Sequence, residues 1–233
     1  MGHHASSGRG LSAAPTADVF PPREADADAV EEGRRLFTKE CRFVAGAAAA
    51  AGLPRAGLPE IAFAGRSNVG KSSLVNALVG QRALARTSDT PGRTRQINFF
   101  ELGGRLMLVD LPGYGYAAAS KRLVEEWTSL VRHYLATRAA LRRLCLLIDA
   151  RHGIKEIDRP LIAMLDELAV SYQIVLTKSD KIGAEELARV AAGVTAELAT
   201  RRAAHPEIHL TSALKARGIA ALRASLAAFA AAG

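Results

Sequence analysis

Cysteine is scarce: Cys41 and Cys145 are the only two in 233 residues. Cys145 lies in "LCLLID", residues 144–149, an apolar run that reads as a core strand, so a disulfide framework is not expected and the cytoplasm fits best. Long hydrophobic runs are missing too. No apolar stretch approaches the roughly 18 residues that a membrane span requires, and the alanine-rich "AGAAAAAGL" at 45–53 is too short. The opening "MGHHASSGRGLSAAPTADVFPP" has neither the basic flank nor the continuous apolar region of a signal peptide. Its Gly, Ser, Ala and Pro content predicts a disordered tail over 1–35, in which His3 and His4 carry no metal-site reading. "READADAVEE" at 23–32 reads as a solvated acidic approach to the domain. No internal repeat is visible.

Acidic residues are outnumbered, 23 Asp plus Glu against 31 Lys plus Arg. A pI near 9.9 favours contact with nucleic acid or another polyanion, although charge alone is weak evidence. A hydrophobic content of 49% over this length supports one α/β domain with a sizeable core, expected over 36–231.

From Phe43 onward strand-like and helix-like segments alternate. "IAFAG" at 61–65 is a short apolar run, followed by a loop and then by helical spacing of Leu74, Val75 and Leu78. "QINFFEL" and "LMLVD" flank Gly103-Gly104, which predicts a β-hairpin over 96–110. Leu123, Trp127, Leu130 and Tyr134 mark an amphipathic helix with Ser120 as N-cap, and this stripe reads as core. Strands are expected at 144–149, 173–177 and 208–212, with helices near 160–170 and 185–200. Ile219, Leu222, Leu226 and Phe229 pattern a last helix. Such alternation predicts a mainly parallel sheet with helices on both faces and ligands at the carboxyl ends of its strands.

At the first of those ends stands "GRSNVGKSS", Gly65, Arg66, Ser67, Asn68, Val69, Gly70, Lys71, Ser72 and Ser73, which satisfies G-x-x-x-x-G-K-[ST]. The two glycines permit a wrap whose N–H groups, with the helix N-terminus, surround a β-phosphate. Lys71 adds a point charge, and the Ser72 hydroxyl is a ligand for Mg²⁺. "DLPG", Asp110, Leu111, Pro112 and Gly113, comes after another strand: Asp110 suggests a metal site, and Gly113 lets a backbone N–H approach a phosphate. "TKSD", Thr177, Lys178, Ser179 and Asp180, comes after a third, and the Asp180 carboxylate can accept from both N1–H and the exocyclic amine of guanine. Adenine offers no such pair. The stem of Lys178 can lie along the base or its loop neighbours. "TSAL", with Thr211, Ser212 and Ala213, places an N–H near the guanine O6. The four loops fall at strand ends in order, which selects a guanine nucleotide.

Tyr114 stands after DLPG, where Ras-like hydrolases carry a water-orienting Gln. The expectation is that Tyr114 faces away from the water, toward a partner, and that its removal changes basal turnover little.

"IAFAGRSNVGKSSLVNAL", "DTPGRTRQINFFEL", "DLPGYGYA", "TKSD" and "TSALKARGI" together resemble the EngB-type GTPases, also called YihA or YsxC, of the Era/EngA/TrmE-related class, over about residues 38–230. The resemblance implies a Ras-like P-loop fold with a six-stranded, mostly parallel sheet of order 2-3-1-4-5-6 and one antiparallel edge strand. It implies GTP and GDP as ligands, slow GTP hydrolysis, assembly of the large ribosomal subunit, and a need for the protein in cell division and septation. Among Thr87, Thr90 and Thr94 it selects Thr94 as the switch hydroxyl on Mg²⁺, with Gly92, Arg93, Thr94, Arg95 and Gln96 bordering the γ-phosphate. Lys71, Thr94 and Asn68 are the candidate catalytic residues. Asn68 matches the P-loop Asn that ligates K⁺ in the related potassium-activated GTPases, against the plainer reading that it braces the loop through its amide. Ser72 and Thr94 are the Mg²⁺ ligands, with Asp110 behind them.

Arg82, Arg86, Arg93 and Arg95 around the first switch, and Arg132, Arg138, Arg142 and Arg143 at the end of one helix and the next turn, are candidates for rRNA phosphate. A monomer acting on the large subunit or its rRNA is expected. The alternative is a nearly inactive GTP-binding scaffold that links division proteins.

Overall fold

In the computed structural model, which describes residues 26–81, 84, 96–115 and 121–231, the apolar runs of the sequence become strands of one sheet. In chain order the elements are α1 (Ala27–Phe37), β1 (Cys41–Ala47), β2 (Glu60–Gly65), α2 (Lys71–Val79), β3 (Ile97–Leu102), β4 (Leu106–Asp110), α3 (Lys121–Thr137), β5 (Leu141–Asp149), α4 (Arg159–Glu167), β6 (Tyr172–Thr177), α5 (Ala184–Leu198), β7 (His209–Leu210) and α6 (Ile219–Ala227).

The sheet runs β1-β3-β4-β2-β5-β6-β7. Its last six strands are the expected six in the expected 2-3-1-4-5-6 order. The correction is a seventh strand, β1, antiparallel to β3, so the reversed strand β3 lies inside the sheet and not at its edge. β1 shows no alternation of buried and exposed positions and carries a register shift between Phe43 and Ala45, so its sequence has no period of two to read. Gly103 and Gly104 take φ of 57° and 68°, the left-handed pair that a tight hairpin needs.

Leu130, Val131, Tyr134, Leu161, Leu165 and Val194, from α3, α4 and α5, pack on one face of the sheet. Leu36, Phe37, Leu74, Leu78, Leu222 and Leu226, from α1, α2 and α6, pack on the other. Helix α1 starts within the segment expected to be a solvated approach, and the expected boundary between 35 and 36 falls inside it. It buries Gly33, Leu36 and Phe37, and a Cβ at Gly33 would stand 2.6 Å from the Ala224 amide nitrogen of α6. No helix among the described residues is long and apolar enough to cross a membrane.

Candidate functional site

The carboxyl ends of β2, β4 and β6 bring three loops together. Gly65 closes β2, and a Cβ there would meet Val69 Cγ1 at 2.8 Å and the Leu147 carbonyl oxygen at 3.0 Å, so the turn admits no side chain. Gly70 takes φ of 101° as N-cap of α2, which turns the chain into the helix with Lys71 and Ser72 in its first turn. The chain so turned points the N-terminus of α2 toward the loop, the geometry that favours an anion.

The guanine loop is tied to the phosphate loop by side chains. Thr177 Oγ1 donates to the Val69 carbonyl at 2.7 Å, and Lys178 Nζ donates to the Asn68 carbonyl at 2.7 Å. Lys178 also pairs with Asp149 Oδ2 at 3.0 Å. Burial pushes the Asp149 carboxyl up, but hydrogen bonds from Arg151 and Lys178 outweigh it and hold the group well below the usual carboxylate range. Asp149 went unnoticed in the sequence although it ends a strand as Asp110 does. Ser212 Oγ donates to Asp180 Oδ1 at 2.6 Å, the main cause of the lowered Asp180 pKa, so this largely covered acid is held in its charged form, the form that guanine recognition requires. A cleft of about 130 Å³ lies between Gly70, Thr177, Lys178, Asp180, Thr211 and Ala213. Ser179 is buried beneath it.

Asp110, at the end of β4, is 9% exposed and pairs with Lys71 Nζ. Mg²⁺ suits this corner: a carboxylate and the Ser72 hydroxyl in the first turn of α2 are hard oxygen donors. Leu111 is buried, and its amide donates to the Phe63 carbonyl. The Pro112 carbonyl accepts from Trp127 Nε1 at 3.0 Å. Gly113 lies against the P-loop, where a Cβ would come within 3.3 Å of the Ser67 nitrogen and Oγ.

Tyr114 differs from its expected placement: it turns inward and not toward a partner. Its ring is 6% exposed, packs 5.9 Å from Trp127, and its hydroxyl donates to Asp158 Oδ1 at 2.7 Å. Burial, ahead of the Asp158 charge, pushes the phenol far up, so it remains a donor. Its backbone joins the P-loop, with Ser67 N donating to the Tyr114 carbonyl at 2.9 Å and Tyr114 N to the Gly65 carbonyl at 3.3 Å. Arg66 reaches the same carboxylate, Nε to Oδ1 at 3.3 Å. Sequence reasoning missed Asp158 because an acid before "RP" signals only a helix start.

Asn68 holds φ of 65° with an exposed side chain. Gln96 enters β3 with its side chain against Gly46 of β1 and Nε2 donating to Asn98 at 2.9 Å. Gly92, Arg93, Thr94 and Arg95, with Thr87, Thr90, Arg82, Arg86 and Ser120, lie outside the described residues, as does the side chain of Leu123. Two of the arginines assigned to RNA are internal instead. Arg138 is salt-bridged to buried Glu60 at 2.7 Å, and Arg143 donates to Gln173 at 3.2 Å with its guanidinium 5.1 Å above the Phe229 ring. Arg132 pairs with Glu167 on the surface, and Arg142 is exposed.

The same loops and sheet recur in known proteins. A family model described as 50S ribosome-binding GTPase matches residues 60–178. A probable GTP-binding protein EngB of Rhodospirillum rubrum is 58% identical over 217 residues, covering 91% of this chain and 94% of the relative. One of Ruegeria pomeroyi is 54% identical, covering 91% and 98%. Among solved structures, a probable GTP-binding protein EngB superposes with a TM-score of 0.57 at 26% identity, covering 72% of this chain and 97% of that one. Era in complex with MgGDPNP and a 16S ribosomal RNA fragment, at 23% identity and a TM-score of 0.59 over 77% of this chain and 59% of Era, shares the fold.

Proposed function

Because this chain belongs to the EngB family of GTP-binding proteins and is a GTPase, we propose that it is a switch whose GTP form docks on a maturing large ribosomal subunit and whose hydrolysis releases it, and that division and septation depend on this step. The observation that carries the reading is the joined cleft: the phosphate loop and the guanine loop are hydrogen-bonded through Thr177 and Lys178, with Asp180 held ionised by Ser212. The match to a family of 50S ribosome-binding GTPases and a net charge of +8 support a ribosomal partner rich in phosphate.

In this reading Gly65 to Ser72 wrap the phosphates, Lys71 leaves Asp110 for the β- and γ-phosphate oxygens, and Asp180 and the loop of Thr211, Ser212 and Ala213 read guanine. Ser72 and Thr94 hold Mg²⁺, with Asp110 behind them. A Mg²⁺ held by these residues would supply positive charge to offset that of the phosphates. Gly113 presents its N–H to the γ-phosphate, a role this reading also gives to Gly92 to Gln96. Asn68, with its side chain exposed on the P-loop, supplies a K⁺ ligand where an arginine finger would act. The protein works as a cytoplasmic monomer.

Co-sedimentation with large subunits tests the proposal. Binding should be stronger with a non-hydrolysable GTP analogue than with GDP. Equal binding in both states would discard the switch and favour a scaffold.

A further inference from the structure

Asp158 is fully buried, yet it sits outside every motif of the nucleotide site. It precedes α4 but its carboxylate does not cap that helix. Oδ2 accepts the Lys155 amide at 2.9 Å, and Oδ1 accepts the Tyr114 hydroxyl at 2.7 Å. The only cation paired with it among the described residues is Arg66 at 3.3 Å, and the Nε and Nη2 of Arg66 are buried without a hydrogen bond there. A buried carboxylate so sparsely compensated depends heavily on each donor it has.

Arg66 belongs to the P-loop and Tyr114 follows DLPG, and their backbones form an isolated parallel bridge. The DLPG loop therefore cannot lift from the P-loop without withdrawing the phenol and leaving the carboxylate one N–H and one poorly aligned guanidinium. Gly113 is the residue immediately before this anchor, held where even a methyl group would press on Ser67. On the other side the segment after the anchor runs close to the residue beside Asp158: a Cβ at Gly115, whose φ is 73°, would stand 2.7 Å from Ile157 Cδ1, the end of a half-exposed side chain.

We propose that Asp158 is a positioning residue for GTP hydrolysis: through the Tyr114 hydroxyl it holds the Gly113 backbone against the P-loop, where the γ-phosphate is met, with Arg66 as its counter-charge. GDP lacks the γ-phosphate, so its binding does not use this anchor. The anchor serves the GTPase reaction itself, whatever the ribosomal partner.

The test uses the full chain with Tyr114→Phe, Asp158→Asn and the double variant, which keep ring packing and side-chain volume. Against the expectation from sequence that Tyr114 matters little to basal turnover, its contact with Asp158 means that single-turnover GTP hydrolysis should fall about tenfold or more in each single variant, the worth of a hydrogen bond to a charged group, while GDP affinity stays within about twofold. The double variant should be no slower than the worse single one, because both remove the same contact. Hydrolysis within about twofold of the parent in a folded Tyr114→Phe protein would overturn the proposal, as would an equal loss of GDP and GTP affinity, which marks a purely structural role. Should Asp158→Asn not fold, Tyr114→Phe decides alone.

Discussion

Lys178 Nζ donates to the Asn68 carbonyl at 2.7 Å and also pairs with Asp149 at 3.0 Å, a strap between the base-reading loop and the phosphate loop. Lys178 itself holds a left-handed φ of 57°, backbone strain kept where the contact requires it. Replacing it with Met keeps the stem and removes the strap. GDP and GTP affinity should then both fall by about 10- to 100-fold, the worth of one charge-assisted hydrogen bond, with release of a fluorescent nucleotide accelerated to match. Unchanged release rates would show that the two loops hold the nucleotide independently.

Asp180 accepts from Ser212 through Oδ1 at 2.6 Å, while Lys181 Nζ stands 3.8 Å from Oδ2. Asp180→Asn exchanges an acceptor for a donor, so guanine loses its partner for N1–H and the exocyclic amine, while xanthine gains one for its carbonyl. Selectivity should move toward xanthosine nucleotides by about 100-fold or more. Competition between GTP and XTP reads it directly, and retained guanine preference would remove Asp180 from the base site.

The nucleotide loops were legible because their information is local. Gly65, Gly70, Lys71 and Ser72 carry their spacing within one turn and one helix start, and each further loop ends an apolar run. What stayed hidden was partnership across distance. Tyr114 finds Asp158, 44 residues away, and Arg138 finds Glu60, 78 residues away. An arginine at a helix end looks solvated until the acid beside it is known to be buried. Edge strand β1 and helix α1 stayed hidden for another reason: β1 lacks alternation, and α1 begins in an acidic run whose apolar contacts come only from its last turn.

Arg138 therefore belongs to stability and not to RNA. Its side chain is 9% exposed and that of Glu60 1%, and Tyr134 also donates to the same carboxylate. Arg138→Ala leaves a buried charge unpaired and should cost about 3–5 kcal/mol in denaturant unfolding. Exposed Arg142→Ala should leave stability unchanged. If Arg142 touches rRNA phosphate, its removal should reduce the log–log salt slope of ribosomal-particle binding by about 0.7–0.9. An unaltered slope would turn attention to protein contacts.

His209 on β7 is buried with Nε2 lacking a hydrogen bond among the described residues. Burial lowers its pKa from 6.5, with His205 and Arg143 adding to the effect and Glu207 opposing it. A depressed folded value means that the unfolded chain binds the proton first. Stability is therefore lost as pH falls below about 6.5, by up to about 1.4 kcal/mol per unit for one proton, and levels off below the folded value. His209→Gln should flatten the melting temperature between pH 7 and 5. A profile of unchanged steepness would assign the effect to His205, whose pKa is also lowered by burial.

With Tyr114 committed to Asp158, no side chain among the described residues stands in the place of a water-orienting Gln, and charge developing between the β- and γ-phosphates needs another source. Asn68 offers an exposed amide on the P-loop, while its carbonyl is fixed by Lys178. A brace through that amide is not what the described residues show; the bracing atom is the carbonyl. The amide is thus available to ligate K⁺ where an arginine finger, worth about 10³–10⁵ in rate, would act. GTP hydrolysis should run about tenfold or more faster in K⁺ than in Na⁺ at equal ionic strength, a modest share of that range. Asn68→Gly is the variant to use, because glycine keeps the φ of 65° without strain and the carbonyl contact with it. It should abolish the difference between the salts while leaving GDP affinity unchanged. Equal rates in both salts, with and without ribosomal particles, would rule out the cation and shift the missing charge to a group supplied by the partner.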